Sequence, residues 1–128
     1  MLYLRPSNIP KSGLGLFTDQ EIKKGEDVVE YNGIIRTWKE CEKLHEEGKG
    51  GYFFFINNRY CIDAYPTTTE MGRYANDARG HSRVEGIRNN SEYVIRNKKV
   101  YIVATRNIKP GMEIFVSYGV DYWKYLNK

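Results

Sequence analysis

Three groups of residues in this chain have the types and spacing to do chemistry. The first is Gly13-Leu14-Gly15. Paired glycines let a backbone approach a ligand closely and take up positive φ, although an ordinary tight turn uses the same pair. A dinucleotide fingerprint fits poorly, because Thr18 stands at the third glycine position and no helix follows. The second group is Gly72-Arg73-Tyr74-Ala75-Asn76-Asp77-Ala78, with Asn89-Asn90-Ser91-Glu92-Tyr93 further along. Amides beside an aromatic ring suit a zwitterionic ligand, and they equally suit an Asx-rich loop that caps its own backbone. In the third group, Ile108-Lys109-Pro110-Gly111-Met112-Glu113-Ile114 runs into Val116-Ser117-Tyr118-Gly119. A tyrosine ahead of a glycine at a strand end can set its hydroxyl in a pocket wall, or simply finish an edge strand.

In this order and spacing the three groups resemble the SET domain, and the likeness covers nearly the whole chain. SGLGLF (12–17) resembles the family's opening glycine motif, EYNG (30–33) its second strand and YCIDA (60–64) the strand leading to the centre of the fold. GRYANDARG (72–80) is similar to the Arg-Phe-Ile-Asn-His-Ser segment, and RNIKPGMEIFVSYG (106–119) to the closing Gly-Glu-Glu-Leu…Tyr-Gly segment. The resemblance implies a mostly β, β-rich α+β fold of small curled sheets, with a C-terminal pseudoknot in which the last segment threads beneath a preceding loop. It implies one SET domain over residues 1–128, with 120–128 as an aromatic C-terminal lid. It further implies S-adenosylmethionine as the cofactor and methyl transfer to a protein lysine, with a histone tail as the usual substrate.

Residue roles follow from the same resemblance. Gly13, Leu14 and Gly15 lie along the cofactor, and Asn76 contacts its amino-acid end, with Arg73 and Tyr74 leading in. Tyr31 and Tyr118 wall the lysine channel, Tyr118 nearest the transferred methyl. Glu113 supports the strand that presents Tyr118. Val116 stands where some relatives carry an aromatic that governs how many methyls are added. Asp77 replaces the family histidine, which places a negative charge near the adenine. Without post-SET cysteines, Tyr122 and Trp123 close the site in place of a zinc-bound lid, as in small viral and microbial members. A homodimer contact is the alternative use of this tail.

The residue types agree with that chemistry. A neutral amine attacks a sulfonium methyl in line, so the protein supplies alignment, dryness and acceptors that tolerate a cation. Lysine, with a pKa of about 10.4, must first lose a proton, and an apolar channel beside a sulfonium favours the neutral form. No metal and no strong base are implied.

Short strands must position these groups. Turn signals separate strand-like runs at 13–17, 27–32, 34–37, 52–56, 60–64, 93–95, 100–104 and 113–118. Residues 38–47 read as a helix stopped by Gly48, with a short helix over 69–74 and an aromatic, helix-compatible tail over 121–128. Residues 80–90 are polar and read as irregular. A mostly β single domain follows, and βαβ folds are excluded.

Composition narrows the alternatives. Eleven tyrosines, 5 Phe and 2 Trp in 128 residues favour half-buried strands or a polar-lined pocket. A net charge of +4 and a pI near 9.0 permit nucleic-acid contact, but no basic run marks an arm, so nucleic acid is not required. Cys41 and Cys61 form neither a CxxC pair nor a Cys/His cluster, which argues against structural zinc and against a disulfide scaffold. A reducing, intracellular location is the default expectation, nuclear or chromatin-bound if the substrate is a histone. No apolar run is long enough for a membrane span. The rival classes are a SET-like module that binds peptide or cofactor without turnover, and a basic nucleic-acid-binding domain.

Overall fold

The computed structural model describes residues 1–48, 53–56, 59–66, 70–78, 84–97 and 99–117. Strands β1 (Leu2–Pro6), β2 (Leu14–Thr18) and β9 (Glu113–Ile114) form one antiparallel sheet in the order β1-β2-β9. Alternation along β2 turns Leu16 into the core. It leaves Phe17 stacked on Tyr3 at 5.7 Å, with the Arg5 guanidinium 5.1 Å from its ring centre.

A second sheet runs β3-β8-β7, from β3 (Asp27–Glu30), β8 (Lys99–Ala104) and β7 (Ser91–Arg96). The third runs β4-β6-β5, from β4 (Ile34–Thr37), β6 (Tyr60–Asp63) and β5 (Phe53–Phe55). Between β4 and β5, helix α1 (Trp38–Glu46) opens on a capping box. Thr37 Oγ1 accepts the Glu40 N–H and the Glu40 carboxylate accepts the Thr37 N–H, satisfying two otherwise orphaned donors. Leu16, Ala75, Ile102, Ala104, Ile108, Ile114 and Val116 join the first two sheets in one buried cluster. Each large aliphatic among them contributes about 1.5–3 kcal/mol of burial.

The last described segment makes the crossing that holds the molecule shut. After β9 the backbone leaves β2 and runs parallel to two earlier stretches, bridging Phe115 to Asn76 and Val116 to Ser91. Val116 N–H donates to Asn76 C=O at 2.9 Å, while Phe115 C=O accepts from the N–H groups of Asn90 and Ser91, each at 3.0 Å. Asn76 and Asn90 stand near opposite ends of the loop between the 3-10 helix and β7, so the C-terminal segment is gripped by both ends of that loop. These are contacts of the kind the expected C-terminal pseudoknot would make, seen at both ends of the loop.

Several elements differ from the sequence expectation. Strand β1 is hidden in MLYLRP, whose charge and proline mask its pairing with β2. Among the described residues of the run 113–118, the strand covers Glu113–Ile114, because Phe115 and Val116 spend their backbone groups on the loop ends. The helix over 69–74 is a single 3-10 turn, Met71–Tyr74. Although the cysteine spacing argues against a disulfide scaffold, one disulfide joins Cys41 to Cys61. The capping box fixes the phase of α1 so that Cys41 faces β6, whose own buried residues include Cys61. The tail over 121–128 lies outside the described residues. No helix among the described residues is long and apolar enough to cross a membrane.

Asn90 is the side chain on which the crossing depends. Its Oδ1 accepts the Phe115 N–H and its Nδ2 donates to Glu113 C=O, both at 2.9 Å, and it is buried. Asn90→Ala strands a buried N–H and a buried C=O at about 1–3 kcal/mol each. The expected loss is about 2–4 kcal/mol of unfolding free energy, measured by urea titration, whereas a surface change such as Glu92→Ala stays within about 0.5 kcal/mol.

Candidate functional site

Gly13 takes the left-handed conformation, φ +64°, and among the described residues nothing lies within 4 Å of where its Cβ would be. It is a glycine for its backbone. Gly15 is a glycine for a different reason. A Cβ there would fall 2.3 Å from Glu113 Oε2 and 3.2 Å from Ser7 Cα. Between them Leu14 projects, 46% exposed, into open space beside the turn.

Glu113 is buried at 2% exposure. Its Oε2 accepts from Ser7 Oγ at 2.7 Å and its Oε1 from the Asn8 N–H at 2.8 Å. Ser7 N–H in turn closes the loop by donating to Gly13 C=O at 2.9 Å. A buried carboxylate is tolerable only when its oxygens are hydrogen-bonded, and these donors come from the chain just ahead of the glycine turn.

Asn76 meets both groups. Its Nδ2 donates to Leu14 C=O at 3.2 Å, across 62 residues of sequence, and lies 3.5 Å from Glu113 Oε2. The amide nitrogen therefore faces the protein, and Oδ1 is turned away from these two acceptors. Glycine turn, asparagine and Glu113 motif thus converge on one carboxylate. That convergence is the feature a family assignment has to explain.

The SET domain family model matches residues 13–119 of this chain. The chain belongs to the SET-domain family. Among relatives, N-lysine methyltransferase KMT5A-A of Danio rerio is 29% identical over 119 residues, which are 87% of this chain and 33% of that protein. Histone-lysine N-methyltransferase 2D of Homo sapiens is 34% identical over 127 residues, 94% of this chain and 2% of that protein. The chain therefore spans about a third or less of the length of these curated relatives. A crystal structure of an active polycomb repressive complex 2 in the basal state matches with a TM-score of 0.74 at 27% identity, covering 93% of this chain and 15% of that one. The methyltransferase domain of human PR domain-containing protein 2 matches at a TM-score of 0.65 and 24% identity, over 92% of this chain and 76% of that one, which speaks to the fold.

Within this SET domain, the remaining sequence-derived candidates fall in three places. Tyr31 is buried, donates its N–H to Val100 C=O at 2.8 Å, and packs edge-on to Tyr93 at 5.6 Å. Phe54 completes the aromatic group, 4.7 Å from Tyr93 and 6.2 Å from Tyr31. Phe54 is missed by motif reading, and Tyr93 stands in the second motif group without a role of its own. The signal available for Tyr93 is its place after Asn89-Asn90, and for Phe54 only strand alternation. The 3-10 helix sets Gly72 against this half, where a Cβ would lie 2.7 Å from Glu30 C=O, while Tyr74 packs on the main core cluster. Arg73 donates from Nη1 to Tyr65 C=O at 2.7 Å and sits 5.3 Å from the Tyr74 ring centre. Tyr118 and Trp123 lie outside the described residues.

Asp77 is buried and accepts from Asn89 Nδ2 at 2.9 Å, while Asn89 Oδ1 accepts the Ala78 N–H at 2.8 Å. Its carboxylate is committed to tying the two ends of the loop together. Among the acidic residues of the first third, Asp27 pairs with Arg96 at 2.9 Å. That hydrogen bond holds the Asp27 carboxyl below its ordinary pKa. Glu26 accepts the Lys23 N–H at 2.7 Å within its own turn. The first pair ties β3 to β7 across 69 residues and the second closes a local turn.

Gly15→Ala tests the packing at the centre of the site. The added methyl must displace the Glu113 carboxylate or Ser7 backbone, and overpacking of this kind costs about 1–3 kcal/mol. For Gly13→Ala only the left-handed backbone is strained, at about 1 kcal/mol. Thermal unfolding of both variants should therefore place Gly15→Ala below Gly13→Ala. The reverse order would mean that Gly15 is not confined by Glu113.

Proposed function

We propose that this SET domain is an S-adenosylmethionine-dependent protein-lysine N-methyltransferase, with a histone tail as its substrate class. The observation that carries this reading is the convergence of the glycine turn, Asn76 and the Glu113 segment beside the aromatic group of Tyr31, Tyr93 and Phe54. One side offers polar backbone and an amide oxygen, and the other an aromatic group of buried Tyr31 with half-buried Tyr93 and Phe54. The names of the relatives, N-lysine and histone-lysine methyltransferases, support the reaction and the substrate class.

The residues present fit the cofactor. Gly13 leaves space beside a left-handed backbone, exposed Leu14 can cover an apolar moiety, and Asn76 Oδ1 can accept from an ammonium. Bound there, S-adenosylmethionine supplies a sulfonium methyl to the neutral ε-amine of the substrate lysine. Leu14, Gly13 and Gly15 line the ligand, with Arg73 and Tyr74 buttressing the turn into Asn76. Tyr31 walls the lysine channel with Tyr93, and the apolar surroundings favour the neutral amine. Tyr118, assigned through its place ahead of Gly119, orients the amine, and Trp123 in the tail covers the cofactor. The binding-only alternative rests on Asp77 in place of the family histidine, and the Asn89 hydrogen bond to its carboxylate supports a structural use of that charge.

Calorimetry is the first check. S-adenosylmethionine should bind the purified chain, with an unchanged isotherm in the presence of a chelator. No binding, or binding lost to the chelator, contradicts the reading.

Tyr118→Phe is the kinetic check. It removes one oxygen and keeps the ring, so fold and cofactor affinity should survive while kcat falls. Misplacing reacting atoms by ~1 Å costs on the order of 10²-fold, and at least that loss is expected in single-turnover transfer to a histone peptide. Tyr31→Phe should be milder and alter how many methyls are added. Wild-type rates in Tyr118→Phe would remove Tyr118 from the reaction.

A further inference from the structure

The hydrogen bonds around Glu113 have a polarity that bears on the ligand. Ser7 Oγ accepts the Ile9 N–H at 3.1 Å, so its own hydrogen is free to be given to Glu113 Oε2 at 2.7 Å. The Asn8 backbone N–H can only donate, and it does so to Oε1 at 2.8 Å. Glu113 is thus an acceptor on both oxygens. Leu14 C=O is likewise only an acceptor. Asn76 sits between them, with Nδ2 3.2 Å from Leu14 O and 3.5 Å from Glu113 Oε2. Its amide cannot flip without setting an oxygen against two oxygens.

We infer that Glu113 and Ser7 are positioning residues that fix the amide of Asn76 with its oxygen toward the ligand's ammonium group. The inference rests on the cofactor reading above and adds to it a cause for the site's polarity. Neither residue touches the ligand. Ser7 lies ahead of the family-matched span of residues 13–119, so this part of the site belongs to the chain's own N-terminal strand and loop.

Glu113→Gln is the informative change because it keeps the shape and turns one acceptor into a donor. If the new NH2 occupies the Oε1 position, it meets the Asn8 N–H. If it occupies the Oε2 position, it meets Asn76 Nδ2, and the amide of Asn76 is then drawn one way by the introduced NH2 and the other by Leu14 C=O. The Asn8 N–H can only donate, whereas the Ser7 hydroxyl can turn to accept, so the second orientation is favoured; there the network no longer dictates one orientation of Asn76, and the oxygen presented to an ammonium is lost part of the time.

Calorimetry with two probes separates positioning from general damage. S-adenosylhomocysteine carries the ammonium and carboxylate, whereas 5′-methylthioadenosine lacks that end. Glu113→Gln should weaken S-adenosylhomocysteine by about 10-fold or more, the scale of a hydrogen bond to a charged group, and leave methylthioadenosine within about 3-fold. Asn76→Ala should show the same selectivity, and the double variant should be no weaker than the worse single one, because both act through the same contact. Equal losses for the two probes, unchanged affinity, or full additivity overturns the inference. Should Glu113→Gln fail to fold, Ser7→Ala decides on the same two probes, with a selective loss of about 3-fold or more expected; an unselective loss or none overturns it. Wild-type protein that binds neither probe brings down the cofactor reading itself, and the inference with it.

Discussion

The structure turns on one buried carboxylate. Removing a carboxylate from water is costly, and Glu113 is compensated by neutral donors from Ser7, Asn8 and Asn76. Those donors come from the chain just ahead of the glycine turn and from the asparagine segment, so satisfying the charge brings the N-terminal loop, the glycine turn and the asparagine into one place. An apolar residue at this position would pack more cheaply and would specify less. It would leave Ser7 and Asn8 free to choose other partners, and the loop that Ser7 closes onto Gly13 would lose its anchor. The absence of a side chain at Gly15 belongs to the same arrangement, since the carboxylate occupies the space a Cβ would need.

The carboxylate reaches that position because the chain crosses itself there. Segment 113–116 is bonded to β2 at its start, then to Asn76 on one side and Asn90 and Ser91 on the other. None of these contacts is local in sequence. Loop closure must come before they reward the chain, so the Asn76–Glu113 network is tied to the crossing. In the aromatic group only Tyr93 has a local partner, Ile102 opposite it in the β7-β8 hairpin, whereas the Tyr31 N–H reaches Val100 C=O from 69 residues away. Assembly is therefore divided between hairpins that short-range pairing can build and contacts that wait for distant segments.

That division explains what is legible in the sequence. Hairpins announced by turn residues appear as expected: Arg96 and Lys99 close β7 onto β8, and β5 pairs with β6. Helix α1 begins and ends where capping chemistry and Gly48 place it. The motif residues of the glycine turn and Asn76 come together as the resemblance implies, because motif spacing carries topology. Strand β1 is not legible, since its polar and proline-containing sequence gains its pairing from β2 alone. The disulfide is not legible either, because no spacing rule links a helix residue to a strand residue that tertiary packing brings together. Gly15 reads in sequence as room for a ligand, whereas its immediate neighbour is the Glu113 side chain. A sequence can show that a side chain is missing; the reason lies in what packs against it. Phe54 escapes motif reading because aromatic residues on strands ordinarily mean core.

The two halves are held at a fixed distance by a very short connector. Gly72 packs its bare Cα against Glu30 C=O and Tyr31, on the aromatic side, and four residues later Asn76 grips Leu14 and the crossing segment. The connector is a single 3-10 turn followed by extended backbone, with Ala75 buried in the main cluster. Such a link has little room to stretch or rotate. Ala75 sits among the core side chains, Gly72 against backbone, and Asn76 in hydrogen bonds at both its main chain and its side chain. For a reaction that asks the protein chiefly to hold two groups in line, this rigidity matters more than any individual acid or base. Under the proposed reading, Glu113 and Asn76 fix the donor side, the packing of Tyr31 on Tyr93 fixes the acceptor side, and residues 72–76 set the separation between them.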